Sequence, residues 1–193
     1  MRVFQVSSQE DLFRVWALTY EVYLEMGYCK ENPEKILRHY PHLDLIPQTK
    51  VFAIEGDDGI LQATNSFTLD GPQGLHTDYM FREETDAIRK ECKEKKLNLS
   101  ACWRIVTRPQ NRGTMEMLLK IIDITVKDSF LDAEVCLFTF HPKHSKIYQR
   151  ILDLSTIAGP KDDTSVNGSP AVLMRADFEQ LINKWKVTRK HIS

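Results

Sequence analysis

An α/β sandwich on a mixed sheet is the fold class this sequence predicts, and three observations carry the prediction. Apolar runs of strand length alternate with amphipathic helices in the order β-α-loop-β-β-α-β-α-β-α-β-β-α. Two early strands flank Asp57-Asp58-Gly59, a turn that makes them an antiparallel hairpin. Two apolar runs, residues 97–107 and 135–140, are separated by a long helix. That is the spacing of a parallel β-α-β crossover, which puts helices on the faces of the sheet.

Each element has a local reason. Residues 2–6 alternate as a short strand. Ser7 to Glu10 reads Ser-x-x-Glu, a capping box. It opens a helix in which Leu12, Val15, Trp16, Thr19, Tyr20, Tyr23 and Leu24 recur at the helical period, ending near Gly27. Residues 28–48 hold three prolines, with one helical turn expected after Pro33. Inside a compact domain so long an irregular stretch reads as a lid or binding loop. The hairpin strands cover residues 50–55 and 60–69, and Asp70-Gly71-Pro72-Gln73-Gly74 is a turn cluster. Residues 81–95 form a charged helix with Phe81, Ala87, Ile88 and Cys92 as its inner edge. After the turn at Arg108 to Gly113 comes a helix with Met115, Leu118, Leu119, Ile122 and Val126 on one face. The second apolar run leads through His141-Pro142-Lys143-His144 into a helix carrying Tyr148. A short strand at 154–158, a polar turn at Asn167-Gly168, a strand at 170–175 and a helix at 177–186 close the chain.

The 193 residues suit one large domain or two intimately packed halves, and no repeat or shift in composition marks a boundary. Residues 1–193 are therefore expected to form a single domain. With 42% hydrophobic residues and a formal net charge of −1, composition is that of a soluble globular protein with no electrostatic reason to bind nucleic acid. Cys29, Cys92, Cys102 and Cys136 are far apart and form no CxxC pair, so neither disulfides nor a zinc site are expected. No stretch approaches the length of a membrane span and no signal peptide opens the chain, so the expectation is a cytoplasmic protein.

The turn before the central helix carries a phosphate signal. Arg112 and Gly113 precede a helix, where free backbone N–H groups, the positive helix end and one guanidinium converge. Arg104 lies in an apolar strand run beside Trp103, and a buried arginine needs a partner: an internal acid or the carboxylate of a substrate.

Four stretches, in this order and spacing, resemble the GCN5-related N-acetyltransferase (GNAT) superfamily, and most closely the branch of long-chain N-acyl amino acid synthases and acyl-homoserine lactone synthases. They are Tyr20-Glu21-Val22-Tyr23-Leu24-Glu25-Met26-Gly27-Tyr28, the turn cluster at 70–75 with Phe81-Arg82-Glu83-Glu84, Pro142-Lys143-His144-Ser145-Lys146-Ile147-Tyr148, and Val166-Asn167-Gly168-Ser169-Pro170-Ala171-Val172. The resemblance implies a GNAT-like fold: a mixed, mostly antiparallel sheet with a splayed parallel pair and helices on both faces. It departs from the superfamily in four places. The acidic residue expected near Ala101 is absent, Thr19 and Ser66 stand where arginines are usual, and Met115 and Met117 occupy the glycine positions of the donor loop. A Cβ at those glycine positions hinders close approach of backbone to a pyrophosphate.

The resemblance implies an enzyme that moves an acyl group from coenzyme A, or from the phosphopantetheine of an acyl-carrier protein, to a primary amine such as that of an amino acid, without a metal. Implied donor contacts are the strand amides of Ile105, Val106 and Thr107 and the loop Arg112, Gly113 and Thr114. Implied catalytic residues are Tyr148, protonating the leaving thiolate, and His144, one helical turn earlier, accepting a proton from the amine or orienting Tyr148. From the residues themselves, Glu25 at the end of the first helix is a candidate base or amine contact, and Arg104 a candidate to hold an acceptor carboxylate or an internal acid. Trp16, Tyr20, Tyr23, Leu24 and Phe67 are candidates for an acyl channel. The missing carboxylate and loop glycines favour one alternative, a non-catalytic acyl-thioester or ligand-binding module; a further alternative, a synthase making acyl-homoserine lactones from S-adenosylmethionine, has the absent arginines and acidic residue against it.

Overall fold

The computed structural model describes residues 1–111, 115–124 and 133–192. Its strands are β1 (Arg2–Gln5), β2 (Thr49–Glu55), β3 (Leu61–Leu69), β4 (Leu99–Thr107), β5 (Val135–Phe140), β6 (Ser155–Asp163) and β7 (Ser169–Asp177). Its helices are α1 (Gln9–Glu25), α2 (Pro41–Asp44), α3 (Arg82–Lys95), α4 (Met115–Ile124), α5 (Pro142–Leu152) and α6 (Phe178–Ile192). One seven-stranded sheet runs in the order β1-β2-β3-β4-β5-β7-β6. Every neighbouring pair is antiparallel except β4 and β5. The mixed sheet with a central parallel pair is the architecture the alternating elements predict.

Alternation along the strands sorts side chains to two faces. On the first face Cys102, Phe138 and Met174 pack with Ile122 of α4, Leu152 of α5 and Leu181 and Trp185 of α6. On the second face Ala101, Leu137 and Leu173 meet Ile88 and Cys92 of α3, while Val51, Ala53 and Val106 meet Val15, Leu18 and Val22 of α1. Burying such side chains, at about 1.5–3 kcal/mol each, is what holds the layers together.

Several boundaries fall elsewhere than the sequence predicts, each for a local reason. Helix α1 is capped by Ser8, whose hydroxyl accepts from the Asp11 amide at 3.0 Å, rather than by Ser7. Ser8→Ala is expected to cost about 1 kcal/mol in urea denaturation, while Ser7→Ala leaves the midpoint unchanged. The helical turn in the 28–48 stretch follows Pro41, not Pro33, because proline at the first helical position has no amide to satisfy. On α3, Ala87 is exposed and Thr85 takes its inward place. On α4 the buried side chains are Met117, Ile121, Ile122 and Ile124; of the face expected there, only Ile122 has a described side chain. β6 and α6 run longer than their apolar cores, since β6 is an almost wholly exposed edge strand with little apolar patterning.

Candidate active site

The parallel pair does not stay paired. β4 and β5 run in register from Leu99↔Val135 to Cys102↔Phe138 and stop. Beyond that point β4 continues beside β3 only, and Thr139 and Phe140 beside β7 only. A wedge-shaped gap therefore opens between Trp103 and Thr139. Its cause is a β-bulge: pairing passes from Ser66↔Trp103 to Thr64↔Val106, so Arg104 and Ile105 together oppose Asn65. The bulged residue is Arg104, at φ 50, a left-handed conformation that costs an ordinary residue roughly 1–2 kcal/mol.

The extra residue turns two consecutive side chains, Trp103 and Arg104, to the second face. Arg104 is fully enclosed: its side chain and that of Asp44 are both 0% exposed. Its Nη2 donates to Asp44 Oδ1 at 2.7 Å and Oδ2 at 2.8 Å and to the His39 carbonyl at 2.9 Å. Its guanidinium lies 4.3 Å from the Trp103 ring. Trp16 Nε1 donates to the second oxygen of Asp44 at 2.8 Å. Burial pulls the Arg104 pKa below that of an exposed arginine while the charge of Asp44 opposes the shift. Of the two partners an arginine here requires, the fold supplies the internal acid. Arg104 thereby fastens α2 and the segment before it over the second face.

That segment brings aromatic and imidazole rings above the gap. Tyr40, itself left-handed at φ 52, packs against His39, His76, Tyr79 and Trp103 with ring centroids 4.0, 5.8, 5.2 and 5.6 Å away. His76 Nε2 lies 3.1 Å from the Thr139 hydroxyl. His39 Nε2 and the Tyr40 hydroxyl reach Ser165, in the turn between β6 and β7, at 3.2 and 3.4 Å. The amide of Asn167 donates to the Gly27 carbonyl at 2.9 Å, closing the same seam. Burial drives the pKa of both His39 and His76 down to about 3, so both rings are neutral, and lifts that of Tyr40 to about 12. Nδ1 of each histidine and Nε and Nη1 of Arg104 are buried with no partner among the described residues.

Tyr148 stands on the first face. Its ring stacks on Phe140 at 4.0 Å and 14°, and Phe140 stacks on Phe138. Burial, then the charge of Cys102, raises its hydroxyl pKa to about 12. The gap is thus flanked by a protonated phenol on one face and neutral imidazoles on the other.

The other sequence candidates are scattered, some beside the gap and some on the surface. His144 is exposed on α5, edge-on to His141 at 6.1 Å. His141 caps α5, its Nδ1 accepting from the Lys143 amide at 3.1 Å. Glu25 is exposed in the last turn of α1. Ile105, Val106 and Thr107 border the gap. Arg112, Gly113 and Thr114 lie outside the described residues. Met117, at one expected glycine position, is buried with Phe52, Ile54 and Ile121. Of the suggested channel residues, Trp16 and Phe67 are core, Tyr23 packs on His39, and Tyr20 and Leu24 line a cleft of about 860 Å³ between α1 and residues 31–35. His76, Thr139, Tyr40 and Asp44 were not singled out from the sequence. Among the described residues no group of three or more His, Cys, Asp or Glu is placed to hold a metal ion, and no helix is long and apolar enough to cross a membrane.

Comparison with solved structures finds the same fold repeatedly. FeeM, an N-acyl amino acid synthase from uncultured soil microbes, superposes with a TM-score of 0.78 at 16% identity, covering 95% of this chain and 93% of that one. The acyl-homoserine lactone synthase LasI gives 0.65 at 18% identity, covering 94% and 93%. The coenzyme A-dependent acyl-homoserine lactone synthase BjaI gives 0.68 at 9% identity, covering 98% and 88%. At these identities the likeness establishes the GNAT-like fold. No curated protein matches the sequence significantly. The sequence profile of N-acyl amino acid synthase FeeM, however, matches residues 14–177, which include most of α1, the bulged strand, the gap and Tyr148. The chain belongs to the FeeM family of N-acyl amino acid synthases and is a GNAT-type N-acyltransferase, moving an acyl group from a thioester to an amine.

Proposed function

We propose that this enzyme acylates the α-amine of an amino acid with an acyl group delivered on the phosphopantetheine of an acyl-carrier protein. The observation that carries the reading is the gap beyond Cys102↔Phe138, with Tyr148 on one face and the His39–Tyr40–His76 cluster on the other. A pantetheine arm lying in the gap offers its thioester to both faces. The Arg108 amide donates to the Gln62 carbonyl at 2.9 Å, so alternation turns the Thr107 amide away from β3 toward the gap. There it can donate to the pantetheine arm lying along β4. An amine arriving over the second face attacks directly, and Tyr148 protonates the departing sulfur, so no covalent enzyme intermediate is needed. Arg104 serves this reading as the anchor of the acceptor wall. His144 and Glu25, both exposed, have no part in the chemistry.

Two observations favour a carrier protein over free coenzyme A. Methionines replace the donor-loop glycines, so backbone approach to a pyrophosphate is hindered. Helix α5, which carries Tyr148, contains no acidic residue and exposes Lys143, Lys146 and Arg150, a surface complementary to an acidic protein. Coenzyme A is the second reading, since BjaI is described with isopentyl-CoA. Both donors are cytoplasmic, and so is the reaction under this reading. The FeeM match counts against a non-catalytic module.

The test is incubation with long-chain acyl-carrier protein or acyl-CoA and a panel of amino acids, followed by mass spectrometry for N-acyl product and a free-thiol assay. Product from acyl-carrier protein is expected, with kcat/KM falling steeply as salt is raised. The triple change Lys143→Glu, Lys146→Glu, Arg150→Glu should lower kcat/KM for the carrier-protein donor by about tenfold or more through slower encounter, leaving acyl-CoA turnover unchanged. Equal loss with both donors would refute carrier docking on α5.

A further inference from the structure

The acyl transfer must remove a proton from the attacking amine, and neither His144 nor Glu25 reaches the gap. The residue nearest the vertex on the second face is Thr139, the first residue of β5 beyond the last parallel pair, half-buried where the strands part. Behind its hydroxyl lies Nε2 of His76, 3.1 Å away and 3% exposed.

We propose that Thr139 and His76 form the proton-accepting relay for the acceptor amine, the Thr139 hydroxyl meeting the amine and His76 receiving the proton. The inference rests on the reading that the gap holds the thioester. The nitrogen lone pair forms the C–N bond on the second face. Collapse of the tetrahedral adduct breaks the C–S bond. The surplus N–H proton passes to Thr139 Oγ as the threonine's own proton moves to His76 Nε2. On the first face the thiolate takes the Tyr148 proton. The imidazolium and the phenolate are then reset by proton exchange with water, leaving one amide and one thiol.

Burial disfavours the charge that His76 receives, and its neighbours offset part of that cost. Asp78, on the same turn, opposes the loss of basicity caused by burial. Its carboxylate also accepts from the Leu75 amide at 2.8 Å and from Arg89 Nη2 at 3.0 Å, which fixes the turn. The Tyr40 ring, 5.8 Å away, presents a π surface to the imidazole. Burial keeps His76 unprotonated until it receives the substrate's proton. Tyr148 and Thr139–His76 then stand as acid and base on opposite faces of one reacting carbon, as a concerted addition and expulsion requires.

Thr139 touches the reacting atoms; His76 acts through it as a positioning residue. The experiment uses the full chain with saturating acyl donor and follows kcat against pH. Thr139→Val, nearly isosteric, is expected to lower kcat by about 10²-fold with donor KM unchanged. Thr139→Ser retains most of it. In Thr139→Val and His76→Gln the remaining rate climbs with pH as hydroxide replaces the relay, so the deficit narrows. A structural defect would instead lower the rate equally at every pH and move the melting temperature. Thr139→Val within about twofold of wild type, where general-base help is worth 10²–10⁴, would overturn the relay while leaving acyl transfer intact. A wild-type enzyme that releases no thiol from any acyl thioester would overturn the relay and the functional reading together.

Discussion

Tyr148→Phe is expected to lower kcat by about 10²-fold or more, in the 10²–10⁴ range that general-acid assistance supplies, while the KM for the acyl donor stays the same. The ring is retained, so its stack on Phe140 at 4.0 Å and the packing beneath it persist; only the hydroxyl is lost. Because burial raises the phenol pKa to about 12, the acid form is fully populated at neutral pH. The wild-type rate should therefore show no alkaline decline from this group until pH approaches that value. With a donor whose leaving thiol is more acidic the defect should shrink, since a good leaving group needs no proton. An unchanged kcat, or a defect insensitive to the leaving group, would remove Tyr148 from the chemistry.

Asp44→Asn is expected to be the most damaging single change to stability, at about 3–5 kcal/mol, because it strands a buried guanidinium. Arg104 and Asp44 are each 0% exposed, and Nη2 makes every hydrogen bond the group has among the described residues. Loss of the pair also frees Trp16 Nε1 from its 2.8 Å bond, loosening α2 from α1. For a chain of this length the melting temperature should drop by roughly 10 °C. The double change Asp44→Leu, Arg104→Met removes both charges and should recover much of that loss, since apolar replacement of a buried pair is often neutral. If Asp44→Asn melts with the wild type, the pair does not hold the segment down.

Much of the fold was legible in the sequence because hydrophobic periodicity is local. The hairpin around Asp57-Asp58-Gly59, the α1 stripe, the parallel pair and the position of Tyr148 all follow from spacing. The bulge was hidden. A left-handed strand residue usually announces itself as glycine, and here it is Arg104 within an unbroken apolar run. His76 was hidden for a different reason. It sits in a short turn between Gly74 and α3 that has no period of its own, and its partner Thr139 is 63 residues away. Spacing within a strand or helix encodes which face a side chain takes; it does not encode which distant loop is folded over that face.

The bulge also makes the length of β4 a quantity the protein cannot vary. Side chains on a strand switch faces with every residue, so Ile105 points to α4 and Val106 to α1 only because one residue has been counted twice before them. Deleting any single residue between Cys102 and Val106 would straighten the strand, leaving one residue opposite Asn65 and Val106 still opposite Thr64 on its present face. The flanking core contacts would survive, but Trp103 and Arg104 would no longer share a face, and the two central strands would run on in register where they now part. A point substitution changes one contact here. A one-residue deletion would close the opening itself, so homologues of this chain that keep the buried Arg104–Asp44 pair should keep the residue count of this stretch as well.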